Sequence, residues 1–409
     1  MGAGRVSRTW RTAGVPPVPV AVLGVGMFGM GAAVGSYGAY VPLLVAGGVS
    51  PADAGLGMSL MLLLQFLVAV PADRLTRSVP PTTVATAGFL VCGAGAAFGG
   101  LPTLEAALVS RSLVGVGLGA AFVAATKYVG RRTEGTDAAT ARAALGALFT
   151  LGFAVSLPLS PALVDRFGPV APALFDAVVV LLGALGTLGL RRLPLEVPRP
   201  VSFYVRPVVS GVGLALGLVY AVAFGFVVVA ATWYAAVLGD VTPPAITPAF
   251  VTPIFVTSVL VGFAVATVVG RLLGTRTTRR LGPGETVGAS LAGLAVLFGL
   301  AIAALLVDAP LLLAGALAAS GLGFGLLVDP VFDLALTTLS ADAGVTLTGV
   351  VGVGAVGASV FPWLVGWLRA ASASYAAGFA SLALATVVVW GLWRAVVQDV
   401  PGVGETDRR

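Results

Sequence analysis

The chain has 409 residues, 58% of them hydrophobic and 10% charged, with a formal net charge of +6. Soluble proteins carry about 25% charged residues, and a mean hydropathy of +1.04 excludes the two soluble domains that length alone would suggest. With no histidine and a single cysteine, Cys92, the chain also excludes histidine metal centres, Ser-His-Asp catalysis and an internal disulfide.

Apolar runs near twenty residues recur along the whole length. A bilayer core about 30 Å thick requires such a run of a helix rising about 1.5 Å per residue. The expected fold class is therefore an all-α polytopic membrane protein. The N-terminal stretch "MGAGRVSRTWRTAGVPPVPVAVLGVG" places positive charge before an apolar run that continues to about residue 45. That run is too long for a signal-peptide core and reads as an uncleaved first span. Charged and Pro/Gly-rich breaks divide the chain into spans at 18–43, 56–72, 82–101, 104–126, 140–163 and 169–190. Six more follow at 207–236, 249–270, 285–307, 310–337, 343–367 and 372–397. "GVGMFG" (24–29) in span one matches G-x-G-x-x-G. With no preceding strand it reads as close helix packing by small residues, not as a dinucleotide loop.

Among the 23 bases, only Arg166 and Arg369 fall on the side opposite the termini, and Arg111 lies within a span. By the positive-inside rule both termini are expected in the cytoplasm, with the protein in the cytoplasmic membrane. The same distribution accounts for the net charge without a nucleic-acid partner. Residues 191–206, beginning "RRLPLEVPRP", follow six spans and precede six. Prolines there interrupt any helix, so 1–190 and 207–409 are expected to be two six-helix halves joined by a cytoplasmic linker. The halves echo each other: "GVGLGAAFVAAT" (115–126) resembles "GLGFGLLVDPVF" (321–332) at an offset of 206, and "VPADRLTRS" has a rough counterpart in "VVGRLLGTRTTRR" (268–280).

These stretches carry a family resemblance. "SPADAGLGMSLMLLLQFLVAVPADRLTRS" (50–78) resembles the second helix and following loop of the major facilitator superfamily. Its loop motif runs G-x-L-x-D-R-x-G-R-R. Asp73, Arg74 and Arg77 match the acid and two bases, while Thr76 replaces a glycine. "RSLVGVGLGAA" is similar to the family's R-x-x-x-G-x-G pattern, with Arg111, Gly115 and Gly117 in register. The antiporter pattern G-P-x-x-G-G keeps only Pro158, which argues against a drug/proton antiporter. The resemblance implies twelve transmembrane helices in two pseudo-symmetric six-helix bundles, with a central cavity lined by spans one, four, seven and ten. It also implies that Asp73 meets the N-terminus of span eleven near "SADAGVT" (340–346) when the cytoplasmic side closes. Arg74 and Arg77 are then placed to pair with Glu134 or Asp137.

Four intramembrane charges are candidate substrate or proton-coupling residues: Arg111, Asp176, Asp329 and Asp333. Arg111 and Asp176 both lie about seven residues below the same face, a depth of ~10 Å. They either pair structurally, or Arg111 faces the cavity. Asp329 and Asp333 share a helix face one turn apart, with Pro330 between them. Depth separates Asp329 from Arg111 by ~18 Å, so the two do not pair. Tyr37, Tyr220 and Phe224 are candidate cavity-lining residues, although packing or interface roles suit such aromatics as well.

The function expected is secondary active transport of a small molecule by alternating access, proton coupling being one option and direction open. No Walker-type loop is present, so the chain does not itself use ATP. The alternatives are a non-transporting membrane sensor or assembly protein, and an intramembrane enzyme, the latter disfavoured by the lack of a nucleophile–base set. A channel is disfavoured by the duplicated halves. No cofactor or metal is expected. The expected partners are the substrate, membrane lipid and, as an option, protons, with the chain acting as a monomer.

Overall fold

The computed structural model describes residues 17–133, 135–195, 210–241, 251–339 and 343–397. Among them the chain forms thirteen α-helices and no strand. The first seven are α1 (Pro17–Gly35), α2 (Tyr37–Ala46), α3 (Pro51–Ser78), α4 (Pro81–Phe98), α5 (Leu104–Arg132), α6 (Gly135–Phe167) and α7 (Val170–Thr187). They are followed by α8 (Gly211–Val241), α9 (Val251–Leu281), α10 (Pro283–Leu306), α11 (Pro310–Thr338), α12 (Ala343–Ser372) and α13 (Ala376–Val397). α1 and α2 together make one membrane-length stretch, Val18–Ala46, giving twelve helical stretches long and apolar enough to span a membrane among the described residues. The termini of successive helices alternate between a basic end, carrying Arg77, Lys127 and Arg280, and an opposite end.

The helix starts follow local chemistry. Ser50 caps α3 by accepting from the Asp53 N–H at 3.1 Å, and its own hydroxyl donates to the Asp53 carboxylate at 2.6 Å. Thr103 caps α5 by accepting from Ala106 N–H at 3.3 Å. Proline occupies the first turn of α3, α4, α10 and α11, where its missing N–H costs no hydrogen bond.

Several helices run past their expected ends. The stretch "VPADRLTRS", expected as a loop, is instead the last turns of α3. With Thr76 in place of glycine, nothing breaks the helix before Pro80, and Val79 turns extended as a residue before proline does. α5 and α9 likewise continue to Arg132 and Leu281, their terminal arginines meeting the negative end of the helix dipole.

The two halves repeat one packing scheme. In the first, α4 packs on α5 and α7, α3 on α5, and α1 on α6 and α7. In the second, α10 packs on α11 and α13, α9 on α11, and α8 on α12 and α13. The glycines flagged by the sequence echo do the same work in each bundle. Gly115 and Gly119 sit against the backbone of Met61 and Gln65, while Gly321 and Gly325 sit against that of Phe263 and Thr267. Gly117 faces Cys92, and Gly323 faces Leu294. A methyl at any of these positions would meet a neighbouring helix, the small-residue approach expected where lipid supplies no hydrophobic drive. In "GVGMFG", Gly26 meets Gly183 of α7 and Gly29 meets the Val180 backbone, as packing requires. The outer flank of α7 exposes Leu174, Val178, Leu182 and Leu185, an apolar face suited to lipid.

Candidate functional site

The bundles meet most closely at the opposite end. There the Trp363 N–H of α12 donates to Ser59 Oγ of α3 at 3.1 Å. Gly55 of α3 lies against the Pro362 carbonyl, Gly366 of α12 against that of Pro51, and Gly38 of α2 against that of Ala231. Trp233 of α8 braces this seam from within the second bundle, donating its Nε1–H to Pro362 O at 2.9 Å. The only residue types that let helix backbones approach so closely lie on both sides of the junction, so this end is packed shut.

Toward the basic end the second bundle carries an ion pair. Arg271 of α9 lies 3.5 Å from the Asp329 carboxylate of α11, their side chains 28% and 42% exposed. The same guanidinium donates across the junction to Thr150 Oγ1 of α6 at 3.2 Å, and its Nε is buried without a partner. Tyr220 of α8 stands within electrostatic reach of Arg271. It stacks on Phe224 with centroids 5.5 Å apart and packs on Phe332 of α11 at 5.4 Å. Phe122 of α5 and Phe149 of α6 contact each other edge-on on the first-bundle side. Asp333, one turn beyond Asp329, is exposed. The structure brings Tyr220 and Phe224 together beside the Asp329–Arg271 pair. It adds Arg271, Thr150 and Phe332, which sequence reasoning missed. Nothing local in the sequence distinguishes Arg271 from the other arginines of the basic end; the signal available was its place ten residues before the end of a helix that runs past its expected boundary.

Asp73 sits in a second charge cluster, near the basic end of the first bundle. Arg77 donates to it from Nη2 and Nε at 3.1 and 3.2 Å, an i,i+4 pair made possible by the helical extension of α3. Lys127 of α5 approaches its other oxygen at 3.1 Å and also donates to Thr76 Oγ1 at 2.9 Å. Lys127, the sole lysine, is the partner that sequence reasoning missed. Arg74 is exposed. The expected partners Glu134 and Asp137, and the start of span eleven at 340–346, lie outside the residues whose side chains are described. Next to Lys127, Tyr128 donates to Arg191 O at 3.0 Å, and one turn beyond Lys127 Arg131 donates to Pro194 O at 2.6 Å, tying the chain after span six to α5.

Arg111 is 1% exposed, among side chains of the first bundle. Its Nη1 donates to Ala33 O at 2.6 Å, at the break between α1 and α2, and Nη2 donates to Ser110 Oγ at 3.2 Å. Its guanidinium lies 5.0 Å from the Tyr37 ring centroid. Tyr37, expected to line the cavity, is buried with its hydroxyl donating to Ala54 O at 2.6 Å. Asp176 is buried on α7, facing Ser36 and within electrostatic reach of Arg111. The two charges share a site, as depth predicted, but no direct ion pair within 4.0 Å joins them. An uncompensated arginine in a membrane helix costs at least ~2.5 kcal/mol; here carbonyl and hydroxyl acceptors and an aromatic face offset that cost.

Twelve spans in two equivalent bundles, meeting around a polar junction, define a helical membrane transporter. The family model of the Major Facilitator Superfamily matches residues 23–362, and the chain belongs to that family. Among solved structures it is similar to a crystal structure of a mutant of the nucleoside transporter NupG, with a TM-score of 0.72 and 12% sequence identity over 92% of this chain and 99% of that one. No curated protein matches the chain. The protein is accordingly a secondary transporter of a small molecule embedded in a membrane, and not an enzyme.

Proposed function

We propose that the chain works as a monomer in the cytoplasmic membrane, with both termini in the cytoplasm, and couples transport to protons through Asp329. The arginine distribution supports the orientation. Residues 1–190 and 207–409 are then the two moving bundles, with 191–206 as their connection; the part of that connection seen, 191–195, is held by α5. The conformation described is closed at the opposite end, while toward the basic end the Asp329 side chain is 42% exposed.

The observation that carries the coupling is the double engagement of Arg271. It faces Asp329 within its own bundle and Thr150 in the other. Protonating Asp329 removes the anion that holds the guanidinium, so the cross-junction contact and the ion pair change together. A ligand or proton shifts a two-state carrier only through such a differential contact. The groups facing Asp329 are Arg271 from α9, Tyr220 from α8 through Arg271, and Asp333 on its own helix. The aromatic surface of Tyr220, Phe224 and Phe332 beside this pair is the substrate wall. Asp73, Arg77 and exposed Arg74 form the gating segment at the cytoplasmic end of α3, and Lys127 holds Asp73 in the present conformation.

A thermal-shift screen of nucleosides, sugars and organic ions identifies a substrate, because a ligand bound only to the folded state raises its stability. Flux in proteoliposomes under imposed pH gradients then tests Asp329→Asn. Gradient-driven accumulation should vanish while counterflow persists; accumulation that still follows the pH gradient removes Asp329 from the coupling role.

A further inference from the structure

Arg166 and Arg369 are the two bases that the sequence pattern sets opposite the termini. Arg166 rests over the exposed ring of its neighbour Phe167. Arg369, in the last turn of α12, is built into the fold. Its Nη2 donates at 2.9 Å to the carboxylate of Asp240, next to the end of α8. Its guanidinium carbon lies 5.0 Å from the centroid of the Tyr375 ring, within the range of a cation–π contact. The turn after α12 brings that ring back. Ala373 takes a left-handed φ of 55°, which alanine rarely adopts, and the Ser372 hydroxyl donates to Ser374 O at 3.0 Å. The buried Tyr375 ring in turn packs on Trp233, with centroids 5.9 Å apart. Trp233 reaches the other bundle. A Cβ built on Gly55 of α3 would lie 3.1 Å from Trp233 Cζ2, and one on Gly366 of α12 would lie 2.8 Å from it, so the indole stands in the seam itself.

We propose that Arg369 is a positioning residue for closure of the opposite end. Paired with Asp240, it holds the Tyr375 ring against Trp233 and so fixes the indole in the seam. The indole is tied at one edge by its Nε1–H bond to Pro362 O. A single bond leaves a flat ring free to swing about it, and Tyr375 packed beside it removes that freedom. The ion pair adds little to stability by itself, because its side chains are 28% and 49% exposed. Its consequence is directional. The Pro362 carbonyl and the indole lie together against Gly55 of the first bundle, and that contact exists only while this end is shut. Ordering the ring in advance removes part of the cost of making the contact, and so favours the closed state over the open one. The role rests on alternating access and stands apart from proton coupling at Asp329, whose ion pair lies toward the basic end.

Maleimide labelling of a Ser59→Cys parent, as the purified full chain, tests this, since Ser59 lies in the seam and the native Cys92 is buried. Arg369→Met should speed labelling about fivefold, the lower end of the shifts that coupled sites show. Tyr375→Ala should do the same. Adding Arg369→Met to Tyr375→Ala should bring no further increase, because the arginine acts through the ring. Arg394→Met breaks a still more exposed ion pair, with Glu285 of α10, away from the seam, and should leave the rate at that of the parent. A folded Arg369→Met protein that labels at the parent rate overturns the proposal. So does an equal rise in Arg394→Met, which reports general loosening, and so does a full further rise on top of Tyr375→Ala. If Arg369→Met does not fold, Asp240→Ala decides the matter: loss of that exposed carboxylate should also speed labelling, and an unchanged rate overturns the assignment.

Discussion

Replacing Gly55 by alanine should shift the transporter away from the conformation described here. A Cβ on Gly55 would stand 2.8 Å from the Pro362 carbonyl carbon, and nearer still to its oxygen. Carbon atoms in contact prefer about 3.5–4.0 Å, so the seam between α3 and α12 must part by roughly 1 Å. The nearest obstruction is the Pro362 backbone, with the buried Trp233 ring 3.1 Å away. Overpacking of this kind costs about 1–3 kcal/mol, and because the contact exists only when this end is shut, the cost falls on one state. The equilibrium should move about 5- to 150-fold toward the form open at this end. The single native cysteine, Cys92, is buried, so a cysteine introduced at Ser59 reports on the seam alone. In purified protein its maleimide reaction rate should rise in Gly55→Ala and stay unchanged in Gly146→Ala, a position with open space around the added methyl. A folded Gly55→Ala protein whose Ser59→Cys rate matches its parent would refute the reasoning.

Lys127→Met should lower thermal stability by about 1–3 kcal/mol, since it leaves the largely buried Asp73 with one fewer charged donor; Lys127→Arg should recover part of the loss. Both changes are read from detergent-solubilised melting curves, and a neutral Lys127→Met would mean that Arg77 alone satisfies Asp73. Trp233→Phe keeps an aromatic ring but removes the bond to Pro362 O, and should cost about 0.5–1.5 kcal/mol while speeding Ser59→Cys labelling. A loss of stability without faster labelling would separate Trp233 from the seam.

The sequence alone determined how many times the chain crosses the membrane. Each crossing needs its own apolar length and its own interruption, and both are written locally. The equivalence of the halves was also legible, because the same glycine spacing must recur wherever the same helices cross: Gly115 and Gly321 prove to face matching backbone positions. Asp73, Arg74 and Arg77 stood out because an acid among bases at a span's end is a local pattern. Their helical geometry was less legible, since the end of α3 depended on Thr76 standing where the motif has glycine and on the proline that follows.

Partnership was decided by the tertiary structure. Lys127 and Asp73 are 54 positions apart, and Arg271 and Thr150 are 121 apart. Helical period gives the depth of a charge but not its azimuth once a span is rich in glycine and alanine, because either face can then pack. Depth therefore placed Arg111 level with Asp176 without telling cavity from bundle interior. The one-residue break at Ser36 lies beside both: the Ala33 carbonyl accepts from Arg111, and Ser36 faces Asp176. A charge in a membrane goes where its hydrogen-bond partners are, and those partners come together only after the helices have assembled.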